Sequence, residues 1–240
     1  LNQGRNSADP LVADVLRESI RLGLLEPGKP LIQASIAEAM GVSRIPVREA
    51  LYTLAAEGLV IFGKDGGARV IDLAVGDIVE LWALRGLLES HMASGIVRTA
   101  TPANVAVLRE IVDAMDDLDG PAWSDSNYTF HHELHRLSDM PHVAAVAGRV
   151  LTMADPYSRT AISVLHVSLL HVVVGANVEH RQMLDALAAG DGAELARLLQ
   201  DHSTQTAAAL LEYAATTVPP VDPKAVVTKT AQSLADHLNA

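Results

Sequence analysis

GVSRIPVREAL, residues 41–51, followed by Leu54 and by EGLV at 57–60, is the stretch whose reading decides the fold of the N-terminal third. Gly41 closes one short helical segment, and Ser43 stands at the N-cap position of the next. Val47, Leu51 and Leu54 recur at helical spacing as one apolar stripe, and Gly58 stops it. Arg44 and Arg48, four residues apart, then share the opposite, exposed face. With Ser43 capping, the helix start offers free amides and the positive end of its dipole to a phosphate. An arginine in the first turn of such a helix reaches O6 and N7 of guanine with both arms.

The flanking sequence completes the unit. From Pro10, Leu11, Val15, Leu16, Ile20 and Leu24 mark a helix that stops at the Leu25-Glu26-Pro27-Gly28 turn. Ser35 is read as the cap of a short helix through Met40, with Glu38 completing a capping box. Downstream, the β-like runs 59–62 and 68–71 flank Gly63-Lys64-Asp65-Gly66-Gly67, a hairpin tip. Helix, helix-turn-helix and hairpin in that order predict a winged helix-turn-helix over residues 10–73, behind a polar tail at 1–9. Gly66, Gly67 and Arg69 of the wing are candidates for the minor groove or its phosphates.

These sixty residues resemble the GntR family of bacterial regulators in order and spacing: Pro27-Gly28, Ile36-Ala37-Glu38, GVSRIPVREAL, and Glu57-Gly58-Leu59-Val60. The resemblance implies a homodimer that sets two recognition helices on an approximately palindromic double-stranded operator. Two positions depart from the family pattern. Ile45 replaces a frequent Thr, which removes one hydroxyl-to-phosphate bond, and Ala34 stands where some relatives have Arg.

Charge is split along the chain. The net charge is -11, but residues 1–72 hold 8 Lys/Arg against 9 Asp/Glu, and residues 73–240 hold 10 against 20. The acidity therefore belongs to the C-terminal region, and the N-terminal region keeps a local basic face. All ten histidines lie in the second region. There is no cysteine, which excludes disulfides and thiolate metal sites and fits a reducing, cytoplasmic setting. No apolar run reaches the ~18 residues of a membrane span, and no apolar segment follows Arg5 as in a secretory leader. Ala, Leu and Val dominate the apolar residues and aromatics are scarce, a bias towards packed helices.

Helical patterns after Asp72 run through 76–99, 102–119, 121–139, 142–154, 157–173, 175–190 and 191–215, so the chain reads as mostly α, with an all-helical bundle over 74–216. Pro219-Pro220 and Pro223 close it, leaving 217–240 as an extension. Asn127, His131 and His135 fall on one helix face, while His180 and His202 fall on two later helices. This layout resembles the FCD domain of the FadR-like GntR branch. There a [D/N]..FH run, an EH pair and a final His build a metal site and bind an effector. The resemblance assigns Asn127, His131, His180 and His202 as ligands of a divalent metal, zinc or nickel first. Asn127 offers a carbonyl oxygen without charge where relatives use Asp. His132 and His135 are placed off the site, on the surface or in a polar contact; His142 at a helix start; His166 and His171 in a core or an interface.

Arg85 is either a bidentate clamp for an effector carboxylate or the i,i+4 partner of Glu89. With only two Phe in the chain, a small polar effector fits better than a large planar one. The combined expectation is a ligand-responsive, non-enzymatic repressor. Two alternatives stay open: a regulator for which the ion itself is the effector, and a metallo-hydrolase fused to a helix-turn-helix.

Overall fold

The computed structural model describes residues 8–118, 120–164 and 170–216. Residues 1–7 of the expected 1–9 tail, His166 and the 217–240 extension lie outside these residues, as does the side chain of His171, while Ala8 and Asp9, expected in the tail, form the start of a helix. One compact unit ends at Leu73 and a second spans Ala74–Thr216.

In the first unit, α1 (Ala8–Arg21), α2 (Gln33–Ala39) and α3 (Arg44–Ala56) are joined by a small antiparallel sheet. Its strands β1 (Pro30–Leu31), β2 (Val60–Phe62) and β3 (Ala68–Val70) are ordered β1-β3-β2. β1 was not anticipated from the sequence. Two residues carry no periodicity, and this strand exists because Pro30 and Leu31 pair with Arg69 and Ala68. That pairing also corrects the capping assignment. The chain turns directly from β1 into α2, whose N-cap is Ile32, so Ser35 lies inside the helix and no side-chain cap forms there.

The buried stripe of α1 is Val12, Ala13, Leu16 and Ile20, whereas Leu11 and Val15 are 61% and 42% exposed. The expected and observed stripes share Leu16 and Ile20, but Val12 and Ala13 take the buried places expected for Leu11 and Val15, so the face is only partly rotated. Leu24 lies past the helix end, in the turn. Val47, Ala50, Leu51 and Leu54 of α3 close the core against α1, and an Arg17–Glu57 pair (2.7 Å through both guanidinium arms) ties the two helices at their rim. Gly41, in the turn between α2 and α3, has φ +65°, a backbone state that a β-carbon would strain.

The second unit comprises α4 (Val75–Thr99), α5 (Pro102–Ala114), a 3-10 turn (Met115–Asp117), α6 (Gly120–Arg136), α7 (Pro141–Val164), α8 (Leu170–Ala189) and α9 (Gly192–Thr216). Thr101 caps α5 by accepting from the Asn104 amide, with Pro102 at the first helical position. α7 replaces two expected helices, because Pro156 does not break it. Packing on both sides outweighs the lost hydrogen bond. Val150, Leu151 and Ala154 are buried before it, and Arg159 after it reaches Asp125 (2.6 Å) and the Pro121 carbonyl (3.1 Å) on α6.

The core draws Met92 and Ile96 from α4, Leu108 and Val112 from α5, Phe130 and Leu134 from α6, Leu184 from α8, and Leu195 and Leu199 from α9. Gly86 lets α9 lie close on α4: a β-carbon there would stand 2.8 Å from Gln200 Nε2 and 3.1 Å from Ser203 Cβ. Among the described residues no helix is long and apolar enough to cross a membrane.

Candidate functional site

In the first unit Ser43 occupies the N-cap of α3 with extended backbone (φ -77°, ψ 167°), but its side chain makes no cap hydrogen bond. Ser43, Arg44 and Ile45 at this helix start are exposed. Arg44 and Arg48 are both exposed, but they flank the buried stripe rather than oppose it, since Arg44, Arg48 and the buried Leu51 stand at i, i+4 and i+7. Arg48 approaches Glu49 at 3.3 Å, but both side chains are half exposed, so this contact holds the guanidinium weakly.

The wing tip is closed by Gly63 N–H donating to the Gly67 carbonyl (2.8 Å) and Gly66 N–H donating to the Gly63 carbonyl (2.9 Å). Gly66 takes φ +76°, which a side chain would strain. Gly66, Gly67 and Arg69 are exposed, Arg69 projecting from the central strand between Pro30 and Ile61. The exposed guanidinium groups of Arg44, Arg48 and Arg69 suit phosphate and base edges, while the Gly66 and Gly67 amides are already taken by the Gly63 carbonyl and Asp65 Oδ1, so the glycines offer close approach rather than free donors.

The second unit brings His131 of α6, His180 of α8 and His202 of α9 together, each buried, with one donor nitrogen apiece all within 4.8 Å of one another. His131 Nε2 and His180 Nε2 are 3.3 Å apart. Two nitrogens on one tetrahedral ion at ~2.0–2.1 Å are separated by about 3.3 Å, so this edge has the size that zinc requires. Burial pushes the His131 and His180 imidazoles well below their ordinary range, and the nearby Arg85 charge adds to it, so both are neutral and ready to donate a lone pair.

His202 turns its other nitrogen, Nδ1, to Glu179 Oε2 at 2.6 Å, leaving Nε2 for the centre. Asn127 lies one turn before His131, and its Oδ1 is buried without a hydrogen-bond partner. An orphaned buried acceptor there fits a donor to an ion better than it fits a core. The donor set as a whole, three imidazoles and an amide oxygen, suits a first-row divalent ion.

Arg85 on α4 is fully buried. Its Nε donates to Glu89 Oε1 at 2.9 Å, and its guanidinium lies 4.5 Å from the centre of the Trp82 ring. Both readings of Arg85 therefore meet in one geometry. Nε is taken by the i,i+4 partner, and Nη1 and Nη2 are buried with no partner.

Glu89, also fully buried, accepts from His135 Nε2 at 2.7 Å and lies 3.6 Å from His131 Nδ1. Burial alone would raise its carboxyl, but Arg85 and the His135 hydrogen bond outweigh burial and hold it at about 2. His135 is thus the buried polar contact, while His132 and His142 are exposed.

Sequence reasoning did not find the carboxylates at Glu89 and Glu179 as partners of the histidines, nor the buried Trp82 and Ser203 polar groups. The Glu89–His135 and Glu179–His202 pairs span 46 and 23 residues, and no local spacing announces them.

Among known proteins, the signature described as "Bacterial regulatory proteins, gntR family" matches residues 11–70, and the FCD domain matches 80–205. An HTH-type transcriptional regulator in an unstable DNA locus of Streptomyces ambofaciens is 31% identical over 73% of each chain. The gluconate operon transcriptional repressor of Bacillus subtilis is 33% identical over 56% of this chain and 57% of its own. The solved McbR/YncC of E. coli superposes with TM-score 0.73 over 86% of this chain and 98% of its own, at 23% identity, and shares the fold.

Proposed function

The chain belongs to the GntR family of bacterial regulatory proteins and carries an FCD domain, so it is a DNA-binding transcription regulator; on that premise we propose that it is a homodimeric, ligand-responsive repressor acting in the cytoplasm, with a divalent ion on His131, His180 and His202. Ser43, Arg44 and Arg48 read a major-groove half-site, and Gly66, Gly67 and Arg69 hold the adjacent backbone or minor groove. Two heads are needed because a near-neutral unit collects too few phosphate contacts alone.

One observation carries the sensing half: three buried imidazoles, two of them neutralised by burial, converge to within 4.8 Å, one edge at 3.3 Å, beside a buried arginine with two unused nitrogens. Asn127 supplies a fourth, uncharged donor. With no carboxylate among these ligands the ion keeps its full charge, and a small organic or sugar acid is the natural completing group, its carboxylate also reaching Arg85. A gluconate operon repressor among the relatives is consistent with such an effector. Binding between α6, α8 and α9 shifts these helices against each other and biases the DNA-competent state. The chain acts as a regulator, and the two carboxylates beside the histidines, Glu89 and Glu179, are engaged by Arg85, His135 and His202.

The test is selection of operator fragments from random duplex DNA, followed by titration of the selected site with zinc and then with gluconate or citrate. An enriched palindrome, lost with Arg44→Ala or Arg48→Ala and released by the acid only when zinc is present, is the expected result. Enrichment of no symmetric site removes the operator reading. Release by zinc alone moves the effector role to the ion.

A further inference from the structure

We propose that Glu89 is a positioning residue for both halves of the sensing site, fixing the His131 tautomer for metal binding and the Arg85 guanidinium for carboxylate binding. This rests on the reading of the three histidines as a metal centre and of Arg85 as the carboxylate subsite.

The groups that face Glu89 are Arg85 from its own helix and His131 and His135 from α6. Oε1 receives Arg85 Nε at 2.9 Å and His135 Nε2 at 2.7 Å, while Oε2 is buried with no partner. A fully buried carboxylate oxygen without a donor is costly and needs a reason. His131 supplies one. Its Nε2 faces His180 Nε2, so Nε2 is the atom turned to the centre, and a neutral ring that donates Nε2 to an ion must carry its proton on Nδ1. Nδ1 is itself buried without a hydrogen-bond partner, and Glu89 Oε1 is the carboxylate oxygen beside it, 3.6 Å away. Closing that gap as the ring becomes a ligand gives the buried Nδ1–H an acceptor from a carboxylate that still has lone pairs unused. A carboxylate that accepts from the far nitrogen fixes the ring and raises its basicity.

On its other side the same carboxylate holds Arg85. With Nε anchored and the guanidinium against Trp82, Nη1 and Nη2 are left as the pair offered to a ligand. Without that anchor the guanidinium loses its fixed plane, and the ordering it would then require weakens any bidentate contact.

The sign of one effect separates positioning from charge. Removing a negative charge strengthens anion binding at Arg85 on electrostatics alone, whereas loss of positioning weakens it. Zn2+ affinity is measured by competition with a chromophoric chelator, and acetate affinity by calorimetry on the zinc-loaded protein, for wild type and Glu89→Gln.

The expected result is a Zn2+ affinity lower by ~10–100-fold together with weaker acetate binding. Acetate that binds Glu89→Gln equally or more tightly overturns the proposal, as does a wild type that binds zinc but no acetate. A wild type that binds no zinc removes the underlying metal reading instead. Should Glu89→Gln fail to fold, ring 15N NMR on zinc-loaded wild type decides. His131 protonated on Nδ1 and metallated on Nε2 supports the proposal, and the reverse arrangement overturns it.

Discussion

Zinc should stabilise the helical unit, and the structure sets both the size of the effect and the residues it depends on. Three buried imidazoles with a 3.3 Å Nε2–Nε2 edge form a site that the unfolded chain lacks, so ion binding adds to folding stability by mass action. At a free concentration one hundred times the dissociation constant the gain is ~2.7 kcal/mol. For a domain of this size, one kcal/mol moves the midpoint by ~2–4 °C, so the shift over chelator-treated protein is roughly 5–11 °C. Intrinsic fluorescence is the assay, because the chain's two tryptophans, Trp82 and Trp123, both lie in the second unit and report its unfolding alone. His180→Ala should abolish the shift. His132→Ala should keep it, since that ring is exposed and outside the cluster. A full zinc shift in His180→Ala would refute the reasoning, for the ion would then be bound elsewhere.

Three further outcomes follow from the same geometry. Arg44→Ala and Arg48→Ala should each cost ~1–3 kcal/mol of operator affinity and relax base preference in their half-site, whereas Arg69→Ala should lower the salt dependence of binding by about one unit of slope; gel-shift titrations at several salt concentrations read both. Gly86→Ala sets a β-carbon 3.1 Å from Ser203 Cβ, next to His202; overpacking of ~1–3 kcal/mol is offset in part by ~1 kcal/mol of helix propensity, but α9 must move, so zinc affinity falls even where stability hardly changes, and an unchanged zinc affinity counts against the close-packing argument. The Asp116 carboxyl is held below the usual range by hydrogen bonds from Arg181 (2.6 Å) and Asn177 (3.0 Å); a depressed carboxyl stabilises the fold above its unfolded value of about 3.9 and loses that contribution as pH falls through its folded value, so the stability gap between wild type and Asp116→Asn in urea melts should be open at pH 7 and close on acidification.

What the sequence made legible divides by the range of the interaction that carries it. The recognition helix could be read because its stripe, its N-cap position and its stop are all local, and the structure places Leu51 and Leu54 inside and Arg44 and Arg48 outside. Where a second element decides, local reading slipped. The face of α1 is set by α3, so spacing alone misplaces Leu11 and Val15. The start of α2 is set by the β1–β3 pairing, so Ser35 only resembles a cap. Pro156 reads locally as a helix end because contacts that support α7 beyond it come from α6.

The sensing site shows the same division at closer range. His131, His180 and His202 were found through a family pattern, since nothing within any one helix brings them together. Their supporting carboxylates belong to no pattern the sequence displays. Glu89 can be read from the sequence only as the i,i+4 neighbour of Arg85, and that reading is true but incomplete: the oxygen that takes Arg85 also takes His135 and lies 3.6 Å from His131 Nδ1, while the other oxygen is buried with no partner. A residue's local partner therefore does not exhaust its role when its side chain is fully buried, because every remaining lone pair must still be met by some group from another helix or by a ligand. By that criterion the unsatisfied atoms of Glu89, Arg85, His131 and Asn127 are the ones that the proposed metal and carboxylate would have to satisfy.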